Sequence, residues 1–432
     1  MAKKLPRITD FNNIPTEALV PEDEQPYEIP KHWKWVRLGS VASSSKSKTE
    51  DFSTNPSYIG LENLITGGGI SSVSESFKLK STKNIFTPGD VLYGRLRPYL
   101  DKHAVVNFEG VCSTDIVVYQ PTTALLPKFL EMWISTQYFV NKATHESKGI
   151  NLPRISDKKL ALFPIPLPPL EEQQRIVEYI EQTNSKIDDV IQRLEQYLDE
   201  APNRRTKLIQ AGVNGLLTSS WREGQGRSID GWSVERLGDL GRWGGGGTPR
   251  KTNKAYWDGG TIRWVTPKDM KSEQITDTVD YITGLGVEES SANKYEGRAL
   301  CVVTRSGILR RLLPLGLIDG TFTVNQDMKV LHNVSEHHLV DFIFWAAMAH
   351  EASIRETCSK SGTTVESIDF GKLKAYEISL PSRSEQEEIV GIITSGLKRI
   401  DSSVELVTKA RAKVKLLKEQ MISAALAGRL RS

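Results

Sequence analysis

The sequence predicts an α+β protein built from two globular domains in a tandem, pseudo-twofold repeat, which two long antiparallel coiled-coil helices separate and join. Three observations predict this fold class. One segment occurs twice at a constant offset of 213 residues, and both copies have the apolar spacing of a long helix. The remainder of each half alternates short β-rich runs with glycine and proline.

The repeated segment begins at Gly149 in the first half and at Gly362 in the second, and the alignment continues without a gap to the end of the chain. About 18 of 70 aligned positions are identical, including Ile155 with Ile368, Leu160 with Leu373, Pro168 with Pro381, Glu172-Gln173 with Glu385-Gln386, and Gly215 with Gly428. Agreement over this length indicates the duplication of one structural unit.

A weaker repeat lies at the front of each half, where Trp33–Gly39 matches Trp232–Gly238 at an offset of 199. The difference between the two offsets shows that the second half carries insertions. We therefore predict an N-terminal arm and four further parts, with the boundaries 1–30, 31–168, 169–218, 219–381 and 382–432. The second and fourth parts are the globular domains, and the third and fifth are helical.

The helices are predicted from apolar residues that recur every three or four positions, from Ile176 in the first copy and from Ile389 in the second. The predicted stripe includes Val190 and Gly396. Pro202 either breaks the first helix or lies in the first turn of a new one, and the second helix, free of proline after Pro381, can run about 65 Å at roughly 1.5 Å per residue. We expect the two copies to pair as a coiled coil; the alternative is two amphipathic helices buried in one core.

The globular domains contain β-rich runs at 90–93, 115–119, 299–303 and 328–331, and each has one helical stretch, near 127–140 and 338–353. The glycine run Gly244–Gly247 is followed by Thr248-Pro249 and lacks the Gly-Lys-Ser/Thr ending of a phosphate-binding loop. We interpret it as a flexible turn.

Polar loops after the strands are the candidate functional residues. Tyr93–Lys102 interleaves arginines with aromatic residues, and Thr304–Arg311 occupies the equivalent place in the second half. Arginine can donate two hydrogen bonds to guanine, and lysine or arginine can neutralise phosphates. The candidate DNA contacts are Arg95, Arg97, Tyr99, Lys102, Lys268, Arg305, Ser306, Arg310 and Arg311; ordinary solvated surface charge is the alternative for each.

The composition excludes several classes of protein. Three scattered cysteines do not form a disulfide framework or a zinc site, and the histidines have no metal-ligand spacing. No run approaches the roughly 18 apolar residues of a membrane span, so we expect a cytoplasmic protein. The net charge of +3 permits binding to nucleic acid but does not indicate it, and part of the positive field can come from partners.

Taken together, these segments resemble the specificity subunits of type I restriction-modification systems, over nearly the whole chain. The resemblance rests on Tyr27–Gly39, on the run from Gly246 to Met270 with its Thr-Pro and Trp-Asp-Gly-Gly phrases, and on the two Leu-Pro, Glu-Gln, Ile-Val, Ile-Asp helices that end near Gly215 and Gly428. Each phrase is moderately specific alone. Their order and duplication are highly specific.

The resemblance implies two target-recognition domains, each reading one half of a split sequence in double-stranded DNA, with the helices fixing the unread spacer. It also implies two methylation subunits that use S-adenosylmethionine and, in some systems, motor-nuclease subunits that use ATP and Mg²⁺. The chain itself would bind no cofactor or metal and carry no catalytic residue. The residues expected to dock partners lie on the helices: Ile180, Ile187, Leu194, Ile393, Ile400 and Val407.

Two other classes of function compete with this one. Asn55-Pro56-Ser57-Tyr58 resembles the motif with which adenine methyltransferases hold a flipped base, but its third residue is Ser and no S-adenosylmethionine loop precedes it. Asp157-Lys158-Lys159 imitates the end of a nuclease triad, although it lies in the repeated approach to the helix. The other competitor is a coiled-coil adaptor whose globular domains bind proteins.

Overall fold

The computed structural model describes residues 5–76, 79–360 and 365–429. These residues form two compact units: unit 1 holds the residues up to Glu195 and from Lys409 onward, and unit 2 holds Gln196–Thr408. The last part of the C-terminal helix, from Lys409, belongs to unit 1 and the part before it to unit 2. The predicted domain boundaries stay a prediction. The predicted matches at Gly362, Thr363, Thr364 and Leu430 lie outside the described residues.

Unit 1 contains a sheet of strand order β2-β9-β6-β7, a second of order β3-β5-β8-β4, and the antiparallel pair β1-β10. The strands are β1 (Lys34–Arg37), β2 (Ala42–Ser44), β3 (Lys48–Thr49), β4 (Tyr58–Ile59), β5 (Lys83–Phe86), β6 (Val91–Gly94), β7 (His103–Val105), β8 (Gly110–Cys112), β9 (Ile116–Pro121) and β10 (Pro164–Leu167). The helices that begin in this unit are α1 (Leu38–Val41), α2 (Pro127–Ile134), α3 (Gln137–His145), α4 (Asp157–Leu160) and α5 (Leu170–Asp199).

Unit 2 contains sheets of order β12-β19-β16-β17-β14 and β15-β13-β18, and the antiparallel pair β11-β20. The strands are β11 (Ser233–Arg236), β12 (Arg242–Gly245), β13 (Ile262–Val265), β14 (Gln274–Ile275), β15 (Asp280–Ile282), β16 (Ala299–Val303), β17 (Leu315–Ile318), β18 (Phe322–Val324), β19 (Met328–His332) and β20 (Glu377–Leu380). The helices are α6 (Ala201–Val213), α7 (Ser219–Gly224), α8 (Gly284–Glu288), α9 (Val340–Ala349), α10 (Glu351–Cys358), α11 (Phe370–Ala375) and α12 (Arg383–Leu426).

The two units share the topology that the internal repeat predicts. The order β2-β9-β6-β7 corresponds to β12-β19-β16-β17, and the parallel pair β4-β8 corresponds to β13-β18. Unit 2 adds β14 beside β17. The fold class is therefore α+β with two tandem copies of one design, as predicted.

The small antiparallel pair in each unit explains why the repeat has two offsets. Lys34 pairs with Leu167 in β1-β10, and Ser233 pairs with Leu380 in β11-β20. Ser233 is 199 residues beyond Lys34, and Leu380 is 213 beyond Leu167. The front and rear repeated segments therefore pair with each other in the same register, which closes each globular domain.

The repeated Glu-Gln dipeptide also has a structural reason. The buried Gln173 side chain accepts a hydrogen bond from the Leu126 amide (2.9 Å), and Gln386 accepts one from the Leu339 amide (2.7 Å). Each glutamine thus ties the start of its long helix to the start of a domain helix, and it satisfies a helical N–H that would otherwise lack a partner.

The single helical stretch predicted in each domain is two helices. In unit 1 the break lies at Ser135-Thr136, where the Thr136 hydroxyl accepts a hydrogen bond from the Phe139 amide and so caps α3. In unit 2 the break lies at His350, between α9 and α10. The sequence reasoning overlooked the capping threonine in unit 1, whereas His350 makes no side-chain cap in unit 2.

The long helices agree with the prediction in length and direction. α12 is 44 residues long, and Pro202 lies in the first turn of α6 after a break at Glu200. Within unit 1, Lys418 of α12 pairs with Asp188 of α5 (2.6 Å), and Lys415 pairs with Glu195 (3.0 Å). The partner number rises along one helix as it falls along the other, so the two helices are antiparallel here.

Unit 2 repeats this antiparallel packing with α6. A Cβ atom on Gly212 would lie 2.8 Å from the Ile393 side chain, and one on Gly396 would lie 2.6 Å from Leu208. The glycines therefore permit close approach of α6 to α12. Arg205 of α6 forms an ion pair with Asp401 of α12 farther along.

The predicted apolar stripe is wrong in detail. Val190 is 45% exposed and Ile191 is buried in its place, while Leu397, the residue after Gly396, is buried in α12. The less exposed positions nevertheless recur at steps of four and three, the spacing of a seven-residue repeat: Ile180, Asn184, Ile187, Ile191, Leu194, Leu198 and Ala201. The predicted stripe is therefore displaced by one residue at Val190 but keeps the predicted spacing.

The glycine run is not a flexible turn. Gly244 and Gly245 lie in β12, and a Cβ on Gly246 would meet the Val324 carbonyl oxygen at 1.7 Å. One on Gly247 would meet the Ser291 side chain at 2.0 Å. These glycines allow close backbone packing, which the sequence alone could not distinguish from turn chemistry. No helix in the described residues is long and apolar enough to span a membrane.

Candidate nucleic-acid interface

The loop after β6 in unit 1 is held by main-chain hydrogen bonds from two distant segments. The Arg95 amide donates to the Asp115 carbonyl (3.0 Å), and the Ile155 amide donates to the Arg95 carbonyl (3.1 Å). The Arg97 amide donates to the Pro153 carbonyl (2.7 Å). These bonds fix the start of the loop independently of its side chains.

The loop after β16 in unit 2 has the same three bonds. The Thr304 amide donates to the Asp327 carbonyl (2.8 Å), and the Ile368 amide donates to the Thr304 carbonyl (2.8 Å). The Ser306 amide donates to the Glu366 carbonyl (3.0 Å). The structure thereby places the two predicted loops at equivalent positions, with Thr304 in the place of Arg95.

Arg95 is only partly available for an external ligand. Its guanidinium pairs with Asp157 at 2.9 Å, and Lys46 pairs with the other oxygen of the same carboxylate at 3.3 Å. These residues line a polar cavity of about 90 Å³ together with Lys48, Asn84 and Thr114. The lining thus contains three cations and one carboxylate, so the cavity has an excess of positive charge. The sequence reasoning missed Lys46 and Lys48, although the run Ser43–Lys48 is a basic, polar signal at a strand end.

The exposure of Arg97 and Tyr99 and the backbone geometry of Arg97 indicate a functional surface. Arg97 is exposed, has no acidic partner in the described part of the chain, and has left-handed backbone angles (φ 53°). Tyr99 is 51% exposed. Left-handed geometry at a non-glycine residue is costly and is concentrated at functional sites.

Lys102, by contrast, does not point outward. Its ammonium group donates to the Leu61 carbonyl oxygen, and it is only partly exposed. Lys102 therefore positions the neighbouring loop, and its direct contact with DNA stays a prediction.

A buried histidine lies behind this loop. His103 of β7 lies 3.4 Å from the Asp101 carboxylate and 3.7 Å from the Glu131 carboxylate, and Lys128 pairs with Glu131 at 2.6 Å. Burial lowers the pKa of His103, but the two carboxylates outweigh burial and raise that pKa to about 9. Burial raises the pKa of Glu131, whereas its bonds to His103 and Lys128 lower the net value to about 2. The network fixes the end of the loop that carries Arg97 and Tyr99.

The candidate residues in unit 2 differ in whether their side chains already have a partner within the chain. Arg305, Arg311 and Lys268 are exposed, and none has an acidic partner among the described residues. Arg310 forms an ion pair with Glu366. The Ser306 hydroxyl accepts a hydrogen bond from the Ile308 amide and caps a short 3-10 helix, so Ser306 supports the loop and its hydroxyl is engaged internally.

Unit 2 also presents basic residues that the sequence reasoning missed. Arg250, Lys251 and Lys254 are exposed and lack acidic partners in the part of the chain that the structure describes. Arg250 lines an open polar pocket of about 690 Å³, and Lys251 and Lys254 are sequence neighbours of the lining residues Thr252 and Asn253. The Thr248 hydroxyl donates to Gln326, beside the Asp327 that anchors the loop after β16, so this surface continues into the predicted one. A run of three cations after the glycines was the available signal.

The residues expected to dock partners divide into two groups. Ile180 and Ile393 are completely buried in the cores of their own units, so neither can contact another chain without unfolding. Ile187, Leu194, Ile400 and Val407 are half-buried. More exposed helix positions, which were not selected as docking residues, are Tyr179, Val190, Leu406, Leu416 and Leu417.

The residues that suggested catalysis have structural roles. The Asn55 side chain accepts a hydrogen bond from the Ser76 amide (2.9 Å), and Asp157 opens α4, which Ser156 caps. Burial raises the pKa of the Cys112 and Cys301 thiols to about 12, so neither is a reactive nucleophile. The described residues contain no cluster of three metal-ligating His, Cys, Asp or Glu side chains.

Comparison with known proteins agrees with this geometry. The family model described as "Type I restriction modification DNA specificity domain" matches residues 30–198 and 229–416. The chain is 33% identical over 270 residues to the type I restriction enzyme EcoR124I/EcoR124II specificity subunit of Escherichia coli, covering 62% of each chain. It is 30% identical over 198 residues to the EcoDI specificity subunit of Escherichia coli, covering 45% of this chain and 44% of that one. The matched parts are thus under two thirds of these relatives' lengths.

Solved structures share the fold at low sequence identity. A chain from a structural study of the assembly and conformational transition of the type I R-M system superposes with a TM-score of 0.71 at 21% identity, covering 94% of this chain and 100% of that one. The HsdS subunit from Thermoanaerobacter tengcongensis gives a TM-score of 0.67 at 20% identity with the same coverage. Because the family model covers most of the chain in two tandem matches, this protein belongs to the family of type I restriction-modification DNA specificity subunits.

Proposed function

We propose that this chain recognises a split sequence in double-stranded DNA, with unit 1 reading one half and unit 2 the other. The single observation that carries this proposal is the duplicated loop frame. Equivalent main-chain bonds hold the loops Arg95–Lys102 and Thr304–Arg311, yet their side chains differ. One frame with two sets of side chains is the arrangement expected of two readers with different targets.

The charge distribution supports nucleic acid as the ligand. Arg97 in unit 1, and Arg305, Arg311 and Lys268 in unit 2, are exposed cations without acidic partners among the described residues. Unpaired arginine on a fixed loop can donate two hydrogen bonds to guanine or contact a phosphate. Tyr99 adds an exposed aromatic surface beside Arg97.

We propose that the long helices set the distance between the two half-sites. α12 alone is 44 residues long, about 65 Å at roughly 1.5 Å per residue. A rigid connection between two readers fixes the separation of the bases that they contact, because it leaves the spacer no freedom to vary. The number of unread base pairs should therefore be constant.

Chemistry at the DNA is assigned to partner subunits. We propose that two methylation subunits supply S-adenosylmethionine-dependent methylation of adenines, and that motor-nuclease subunits, in systems that have them, supply cleavage with ATP and Mg²⁺. The exposed apolar side chains of the helices, Leu406, Leu416 and Leu417 among them, offer surface for docking.

Co-expression with the neighbouring methylation subunit tests the proposal. Methylated adenines are mapped genome-wide with and without this chain, and we expect a two-part motif of constant spacer only when the chain is present. Methylation that does not depend on the chain would contradict the proposal and favour an adaptor that binds proteins through its globular domains.

A further inference from the structure

An exposed apolar tip in unit 1 lies directly beside the loop that carries Arg97. Lys148 and Arg154 exchange both main-chain hydrogen bonds (3.0 and 2.9 Å), which closes a tight hairpin over residues 148–154. At its tip Ile150 is 100% exposed, and Leu152 is 56% exposed. The described residues therefore leave Ile150 uncovered and cover Leu152 only in part.

The tip is fixed in place. Gly149 turns the chain with φ of 108°, and the Arg97 amide donates to the Pro153 carbonyl at 2.7 Å. The hairpin and the Arg97 loop therefore form one surface, to which the half-exposed ring of Tyr99 also belongs. A rigid apolar projection loses little conformational freedom when it binds.

The charges around the tip indicate what covers it. Lys148 and Arg97 are exposed, and neither has an acidic partner in the described ranges. Arg154 pairs with Asp115 at 2.7 Å but keeps half of its side chain exposed. An apolar tip rimmed by cations matches a nucleic-acid groove, in which phosphates flank the nonpolar faces of bases and sugars. It does not match an apolar protein surface, which would leave these cations without counter-charges.

We infer that Ile150 and Leu152 enter a groove of the DNA duplex and make nonpolar contacts with the bases of the half-site read by unit 1. This inference rests on the proposed function and adds to it a part of the reading surface that is independent of charge. Lys148 and Arg97 would contact the flanking phosphates or base edges. Affinity from the tip should therefore be insensitive to salt, whereas affinity from the cations should fall as salt rises.

The test uses the full chain with its methylation subunit and a duplex bearing the mapped target. The double variant Ile150→Asn with Leu152→Asn should weaken binding about tenfold to hundredfold, as expected for losing the burial of two apolar side chains. The slope of log affinity against log salt should not change. Lys148→Gln should instead reduce that slope by about 0.9, the value for one phosphate contact.

Two controls keep the result specific. Leu162→Asn changes the same residue type at nearly the same exposure, 52%, away from the hairpin, and it should leave affinity unchanged. The double variant Ile150→Met with Leu152→Met keeps apolar area and should bind within about threefold of the parent. Equal binding by the Asn and Met double variants, whether strong or weak, would overturn the inference.

Failure of the inference is distinguishable from failure of the proposed function. If no split motif is mapped, the proposed function fails. If a motif is mapped but the Asn double variant binds it as the parent does, only the inference about the hairpin fails. The Asn double variant should also lose discrimination against base changes in one half-site while keeping it in the other.

Discussion

The loop after β6 and the loop after β16 are held by equivalent main-chain bonds, but their surroundings differ. In unit 1 the first residue of the loop is Arg95, which shares the Asp157 carboxylate with Lys46. In unit 2 the same place holds the buried Thr304, and the residue equivalent to Asp157 is Phe370. The backbone frame is thus maintained by contacts that do not involve side chains. The side chains are free to change with the sequence that is read.

A second comparison concerns the starts of the two long helices. Glu385 is buried and accepts hydrogen bonds from Thr218, Arg222 and the Trp232 indole. Within the described residues, the side chain of its counterpart Glu172 pairs with the exposed His32, at 2.8 Å. Trp33, the counterpart of Trp232, has a buried indole N–H without a partner among the described residues. The same repeated glutamate is therefore part of the core in unit 2 and part of the surface in unit 1.

The largest expected effect follows from this difference. Glu385→Ala should lower the free energy of unfolding of unit 2 by about 3–5 kcal/mol, because it leaves the guanidinium of Arg222, whose side chain is 9% exposed, without its carboxylate. Glu172→Ala should cost unit 1 under about 1 kcal/mol, since its partner is exposed. Urea unfolding of both variants measures the two costs; equal costs would contradict the comparison.

A pH effect of intermediate size should be confined to unit 1. The pKa of His103 is raised to about 9, so the stability that its protonated form contributes is fully present below about 6.5 and is lost as the pH rises through about 9. The pKa of Glu131 is lowered to about 2, so its contribution is present above about 4.5 and is lost as the pH falls towards 2. Both contributions are complete only between about pH 4.5 and 6.5.

Hydrogen exchange of the β7 amides should therefore show a loss of local stability on the order of 2 kcal/mol between pH 6.5 and 9.5, after correction for the intrinsic rate. β17 of unit 2 corresponds to β7 and contains no histidine, so its amides serve as the internal control. His103→Gln should abolish the difference between the two strands. If the variant keeps the difference in pH dependence between β7 and β17, His103 is not the cause of that difference.

Arg97 and Arg305 should act on different half-sites. Arg97→Ala is expected to weaken binding to the mapped target by about tenfold. It should also relax the sequence preference in one half-site only, because it removes roughly 1–3 kcal/mol of discrimination between the right and the wrong base. Arg305→Ala should do the same for the other half. Binding to duplexes with single base changes measures both preferences. Relaxation of both halves by either variant would show that the two units do not read independently.

The smallest effect is expected at Arg310. Its side chain is 71% exposed and already pairs with Glu366, so Arg310→Gln should change the free energy of unfolding by less than about 1 kcal/mol. Affinity for the target should stay within about threefold of the parent. A larger loss of affinity would indicate that Arg310 contacts DNA directly and does not only support the loop.

The features that the sequence predicted correctly depend either on neighbouring residues or on the internal repeat. The repeat predicted the shared topology, and the equivalent places of the loops at Arg95 and Thr304 followed from it. Proline positions predicted the bounds of α6 and α12. These signals depend on neighbouring residues or on comparison of the chain with itself.

The features that it missed depend on contacts between residues far apart in sequence. Gly246 lies against Val324, and Lys102 is turned inward by the carbonyl of Leu61. The cation cluster of Lys46 and Arg95 forms only when α4 brings Asp157 to the strand end. No local pattern contains this information, so candidate residues chosen by charge alone included supporting ones.

The most direct test of the central claim exchanges one reading domain and leaves the frame intact. Residues Trp33–Leu152 are replaced by the corresponding segment of another family member, and methylated adenines are mapped in cells that also express the methylation subunit. We predict a new motif in which one half has changed, while the other half and the spacer length are retained. A motif in which both halves change, or neither does, would contradict the claim that each unit reads one half on a shared frame.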